Sequence, residues 1–236
     1  MIKKTLFRKF YPDDSKNGTI KFYQWLREDL NSENVVVNIG AGLTSKDKIR
    51  SLKGEVKKVI GLDIDPDVLN NQDLDEAHII RDIMPLKDCS VDMAWSDYVL
   101  EHIEKPEIFL KEVYRILKPG ASFFFRAPNL LHYVSVIAKL TPHFIHDLIA
   151  SPARGLAKGG HEPYKTYHRM NTQSSILKQA KLAGFRVIEL KYIEAEPSYL
   201  MFHWMPFCLG VFYERTVNKY EFLRCFRSNI FGRLEK

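Results

Sequence analysis

Two periods of apolar residues alternate along the first half of the chain. Continuous apolar runs occur at 35–39 (Val-Val-Val-Asn-Ile), 58–62, 77–81, 91–95 and 121–126. Such runs carry no in–out alternation, so they read as strands covered on both faces. Between them the period becomes helical. Ile20, Phe22, Tyr23, Leu26 and Leu30 predict a helix before the first strand, packed beside the sheet or over a ligand. A short charged helix is predicted over 45–52. Asp65 is placed as an N-cap with Pro66 at the first helical position. Ile108, Phe109, Val113, Ile116 and Leu117 predict an amphipathic helix over 105–117, stopped by Lys118-Pro-Gly120. Strands and helices alternating in this way predict an α/β fold with a doubly wound, mostly parallel sheet.

After Pro128 the rhythm changes. A helix is predicted over 130–140, but much of 129–170 is rich in Gly and Pro and reads as a lid or acceptor-binding insertion after strand 5. Regular structure resumes with a helix over 172–182, capped near Asn171 or Thr172 and stopped by Gly184. Strand 6 follows at 185–193, and 198–204 is predicted as an antiparallel seventh strand. The reading is one domain over 1–236: an N-terminal helical segment (1–33), a core (34–128), the insertion (129–170), and a C-terminal half with a basic aromatic tail (171–236).

The chemistry concentrates where the first strand ends. Asn38-Ile-Gly40-Ala-Gly42 is a strand running into a glycine turn, where backbone N–H groups can approach a ligand closely. Asp63 closes the second strand, 23 residues after Gly40. A carboxylate there can accept both hydroxyls of a ribose. Strand, glycine turn, helix, strand and acid form the frame of a nucleoside-cofactor site.

Charge and cysteine content narrow the setting. Residues 1–140 hold 21 Lys/Arg and 21 Asp/Glu, whereas 141–236 hold 14 and 8, so the whole formal charge of +6 lies in the C-terminal part. A solvated basic surface, an anionic substrate or an anionic membrane would each suit it. No aromatic and basic interleaving points to nucleic acid. Three cysteines without a Cys-x-x-Cys argue against a disulfide framework and a zinc site. No signal-peptide pattern and no run of the ~20 apolar residues needed for a span is present, so a cytoplasmic protein is expected.

Four blocks resemble the class I S-adenosylmethionine (SAM)-dependent methyltransferases of the ubiquinone/menaquinone-type and small-molecule branch: Val37-Asn-Ile-Gly-Ala-Gly42, Gly61-Leu-Asp-Ile-Asp65, Asp82-Ile-Met-Pro-Leu-Lys-Asp-Cys-Ser-Val-Asp92 and Tyr114-Arg-Ile-Leu-Lys-Pro-Gly120. Their order and spacing match over about 34–128. The resemblance implies a seven-stranded sheet and SAM as cofactor. Asn38, Gly40, Ala41 and Gly42 would border its methionine and ribose. Asp63 would bind the ribose and Ile64 pack on adenine. Asp82 would take the adenine amino group, with Ile83 backing it, and Ser96 would meet the methionine end. Tyr167-His-Arg-Met-Asn-Thr-Gln173 and the aromatic C-terminus resemble members tied to bacterial surface-polysaccharide biosynthesis, which implies O-methylation of a small molecule or surface glycan.

A hydroxyl acceptor needs a base, and a His has its pKa near working pH. His102, Asp97, His132, His161 and His168 are the candidates, each weighed against a plain structural role. His143-x-x-His146-Asp147 could bind metal only on a helix, and no metal is expected. Tyr199, Phe202, Trp204, Phe207, Phe212 and Tyr213 read as core, with peripheral membrane contact through the basic tail as the alternative. A non-catalytic scaffold of the same fold is the main rival, since the family usually has an acid at Asn38 and Gly at Thr44. A nicotinamide-dependent oxidoreductase is weaker, because Ser45 stands where its third turn glycine belongs.

Overall fold

The computed structural model describes residues 4–140 and 164–236. Seven strands form one sheet: β1 (Val35–Ile39), β2 (Lys58–Asp63), β3 (Glu76–Ile79), β4 (Val91–Asp97), β5 (Leu117–Pro128), β6 (Arg186–Ile193) and β7 (Asn229–Glu235), in the order β3-β2-β1-β4-β5-β7-β6. The five strands from β3 to β5 pair in parallel. At the other edge, Gly120 N donates to Lys236 O and Lys236 N donates to Ala121 O, so β7 ends where β5 begins and runs antiparallel to it. Two neighbours of β1 on opposite sides, β2 and β4, create the switch point at which ligands bind above carboxyl ends of strands.

By internal contacts the described residues fall into two units. The sheet unit comprises Phe22–Pro128, Thr166–Lys191 and Ile230–Lys236. Its core is aromatic: Phe123, Phe124 and Phe125 are fully buried, Trp25 meets Phe124 edge-on at 4.9 Å, and Phe22 meets Phe231 at 5.2 Å. The helices α3 (Pro106–Ile116) and α5 (Gln173–Ala183) belong to it. Thr172 caps α5 with a reciprocal Thr172–Ser175 box, and Gly184 ends it in the left-handed region, as predicted. The other unit draws on the described parts of 1–21, 129–165 and 192–229. It contains α1 (Lys4–Phe10), α4 (Tyr133–Leu140) and α6 (Trp204–Lys219). There Phe207 lies among Phe7, Phe10 and Tyr11, with ring centroids 5.8–6.3 Å apart. The helix α2 (Gly18–Glu28) precedes the sheet, where the sequence placed one.

Three predictions need correction. The helix at 45–52 is a single 3-10 turn, Lys48–Arg50. Ser45 N donates to Asp73, Thr44 Oγ1 accepts from Gln72 N and Ser45 Oγ accepts from Asp47 N. These short polar side chains take the backbone bonds that a helix would need. Residues 198–204 are not a strand: Ser198–Leu200 is a 3-10 turn, His203 caps α6, and Pro206 sits in the first turn of that helix, where no N–H is required. The seventh strand is instead Asn229–Glu235. Its central Gly232 hides the strand pattern, yet a Cβ there would fall 2.0 Å from the Phe125 ring, so close packing needs glycine. The aromatic run also divides. Phe207 is buried, whereas Trp204 and Phe212 are exposed.

Candidate active site

Gly40 and Gly42 both adopt left-handed backbone, with φ of +77° and +50°. At Gly40 an added Cβ would lie 2.3 Å from Val99 Cγ2, whereas at Gly42 it would meet nothing within 4 Å. The first glycine therefore lets the turn pass Val99, and the second faces open space. Gly40 N and Ala41 N donate to Leu62 O, which ties the turn to β2. Asn71 clamps it from the other side, its Nδ2 donating to Ala41 O at 3.1 Å and Gly42 O at 2.9 Å.

Asp63 stands at the carboxyl end of β2. Its Oδ2 accepts from Gly42 N at 2.8 Å and its Oδ1 from Asp65 N at 2.9 Å. Each oxygen keeps lone-pair capacity, so a fixed, half-buried acceptor pair is held next to the glycine turn. Ile80 N donates to Asp63 O, which brings the chain leading to Asp82 and Ile83 beside it. Asp82 is exposed, and Ile64 and Ile83 are 63% and 64% exposed. Ile64, Asp82 and Ile83 thus follow the carboxyl ends of the adjacent strands β2 and β3.

A cavity of about 220 Å³ is lined by Asn38, Gly40 and Ala41 from β1 and its turn, by Tyr23, and by Trp95 and Asp97 from β4. Arg50, Asn71 and Asp73 complete its polar side. Ser96 is fully buried and does not line this cavity, because successive strand residues face opposite ways.

Asp97 is bracketed by two arginines. Arg126 meets it in a fork, Nε to Oδ1 at 2.5 Å and Nη2 to Oδ2 at 2.7 Å, and Arg50 Nη1 reaches Oδ2 at 2.6 Å. Burial opposes the charge of Arg126, but Asp97 more than offsets this and its pKa is raised. Arg126 also stacks on Tyr98, 4.4 Å from the ring centre. Burial, with Asp97 adding, pushes the Tyr23 phenol up to about 12. Two guanidiniums thus engage the two carboxylate oxygens of Asp97. One cation of this cluster is in excess. Arg50 faces the cavity and suits a ligand carboxylate.

The acid that sequence reading missed is Glu101. It is 6% exposed, and its Oε2 has no hydrogen-bond partner. Burial, with the neighbouring Asp97 charge adding, pushes its pKa up to about 7. Only its setting reveals it, since a Glu before His102 carries no sequence signal. Its carbonyl accepts from both Tyr167 N (2.7 Å) and His168 N (3.0 Å), which brings His168 to the turn that carries His102. Tyr98 and His168 both hold positive φ, of 59° and 53°. Such strain collects at functional sites. His132 is elsewhere, in the second unit, 3.4 Å from Glu194. His161 and the His143/His146/Asp147 group lie outside the described residues. Among the described residues no group of three His, Cys, Asp or Glu could hold a metal ion.

Residues 37–125 match the family described as a methyltransferase domain. That match covers 89 of the chain's 236 residues, from within β1 to within β5. The fixed acceptor pair at Asp63, the open Gly42 and the cavity beside the turn fit SAM as its cofactor. A curated relative, the Caenorhabditis elegans sterol 4-C-methyltransferase strm-1, is 26% identical over 130 residues, 51% of this chain and 32% of the relative, so the match spans about a third of that protein. A SAM-dependent methyltransferase of Methanosarcina mazei superposes with a TM-score of 0.54 at 17% identity, covering 90% of this chain and 96% of that one. A chain from a complex with the Haloferax volcanii Trm112 methyltransferase activator gives 0.56 at 20% identity, covering 98% and 94%. The [4+2]-cyclase SpnF gives 0.57 at 14% identity, covering 92% and 80%. At these identities the likeness is one of fold, and a cyclase among them shows that fold alone does not fix the reaction.

Proposed function

We propose that the methyltransferase domain O-methylates a hydroxylated small molecule or surface-glycan intermediate. The observation that carries SAM use is the pinned glycine turn with Asp63 fixed beside it. SAM supplies a methyl group activated by its sulfonium. The chain's own tasks are then to hold, align and deprotonate. Asp63 takes the ribose hydroxyls, Ile64 and Ile83 flank the adenine, Asp82 accepts from its amino group, and Arg50 pairs with the methionine carboxylate. Asn38 lines the same cavity with a neutral amide, which can both donate and accept. His102 takes the proton of the acceptor hydroxyl, with His168 held beside its turn. The lid role assigned to 129–170, and a base at His161, belong to this reading.

The glycan assignment rests on the resemblance of 167–173. A second reading, methylation of a lipid such as a sterol, is favoured by the name of the curated relative. Incubation with methyl-labelled SAM and a panel of nucleotide sugars, lipid-linked glycans and sterols separates them. Label on a sugar oxygen, lost in His102→Ala with SAM affinity kept, is expected. Label only on sterol carbon overturns the O-methyl assignment. Unimpaired turnover in His102→Ala overturns the base.

A further inference from the structure

Two short segments of the sheet unit each combine backbone strain with an unpaired polar atom. Among the described residues other than glycine, Cys89, Tyr98 and His168 alone hold positive φ. Tyr98 opens the turn that follows β4, and His168 lies in the stretch 167–171 before α5. In the turn, Glu101 is 6% exposed and its Oε2 has no hydrogen-bond partner. In the stretch, Asn171 is fully buried and its Oδ1 has none. Native proteins pair their buried polar atoms as a rule, and leaving one unpaired costs stability. Strain and unpaired atoms that recur together mark a functional site.

The two segments are tied to each other. Tyr167 N and His168 N donate to Glu101 O, and Arg169 Nη1 donates to Glu104 O at 2.7 Å. Asn171 Nδ2 donates at 2.8 Å to the carbonyl of Pro128, the last residue of β5. That strand pairs with β4 as far as Asp97 and Arg126. Residues 167–171 therefore form a strap over the carboxyl ends of β4 and β5, the side on which ligands bind in parallel sheets. The turn under the strap also adjoins the glycine turn, since a Cβ at Gly40 would meet Val99, two residues before Glu101. Both unpaired atoms are oxygens. The bond to Pro128 fixes the Asn171 amide so that its oxygen is the acceptor left over. A carboxylate likewise only accepts. Two buried acceptors side by side on joined segments call for a ligand rich in donors.

We infer that Glu101 and Asn171 form the acceptor subsite of the domain, each taking a hydrogen bond from a hydroxyl of a polyhydroxylated substrate. The inference rests on the O-methylation reading and deepens it. The substrate must carry hydroxyls besides the one whose proton goes to His102. A sugar does, whereas a sterol with a single hydroxyl leaves one buried acceptor unpaired and is rejected for that reason.

Kinetics on the member of the sugar and glycan panel that takes label from methyl-labelled SAM test the subsite. Glu101→Leu removes the acceptor together with the cost of burying it, and Glu101→Gln keeps one acceptor oxygen. The expected result is a KM for that sugar raised at least ~10-fold in Glu101→Leu, the worth of a hydrogen bond to a charged group. Its kcat and its Kd for SAM should stay within about 2-fold of the parent, the mark of lost substrate binding. Glu101→Gln should recover part of the loss, and Asn171→Ala should move KM the same way. A labelled sugar whose KM is unchanged in Glu101→Leu or in Asn171→Ala overturns the subsite and leaves O-methylation standing. So does a fall in kcat at unchanged KM. Label only on sterol, or on no hydroxylated member of the panel, overturns the O-methylation reading and the subsite with it.

Discussion

Arg50 and Glu101 carry the clearest predictions for single residues. Arg50 is a cation in the cavity whose partner, Asp97, keeps a fork with Arg126 when Arg50 is removed. Arg50→Gln should therefore leave the fold intact and weaken SAM about 10-fold or more, the worth of one charge-assisted bond. Titration calorimetry reads this directly. Glu101 makes a prediction about pH. Its folded pKa of about 7 lies above the ordinary 4.5, so the native state holds a proton that the unfolded chain has released. Stability is full below the unfolded value and falls as pH rises through the window from about 4.5 to 7, by at most about 3 kcal/mol. Glu101→Gln removes the cost. Denaturation at pH 8 should then find the variant more stable than the parent, and at pH 4 nearly equal to it. Neither residue announces itself in sequence. Arg50 is one of many charges in a polar stretch, and the pKa of Glu101 depends on walls that only the fold supplies.

At the scale of elements, the strands whose apolar runs are unbroken were legible, because burial on both faces writes itself as composition. β1, β2 and β4 lie where the pattern put them, and so do the caps of α5. Elements shaped by side chains bonding to backbone were not legible. The loop after β1 looks helical by period, yet Thr44, Ser45, Asp47 and Asp73 tie it into turns. β7 was missed because Gly232, which makes room for Phe125, breaks the β-branched pattern. Asn71 was equally silent, though it holds the carbonyls of Ala41 and Gly42. Asn71→Ala should loosen the turn and weaken SAM roughly 3- to 10-fold, within the range of one or two neutral hydrogen bonds, with the melting temperature nearly unchanged. A variant that binds as the parent does would show that the turn holds itself.

For the whole molecule, the residues proposed to hold the cofactor all lie in the sheet unit, so cofactor binding should stabilise that unit as a body. Saturation at 100 times Kd adds about 2.7 kcal/mol, which corresponds to a rise of about 5–10 °C for a domain of this size. Differential scanning fluorimetry with S-adenosylhomocysteine should show that rise, whereas NADH should give none. A shift with NADH alone would favour the nicotinamide reading that Ser45 argues against.

The central claim is that the turn at Gly40–Gly42 and the Asp63 carboxylate bind SAM. Isothermal titration of the parent and of Asp63→Ala with SAM and S-adenosylhomocysteine tests it most directly. The account predicts micromolar, one-to-one binding of both ligands to the parent and at least a ~10-fold loss in the variant. No binding to the parent, or equal affinity in Asp63→Ala, would contradict it. The first outcome would make Asn38 and Thr44 marks of a lost site and leave a scaffold of this fold as the better description.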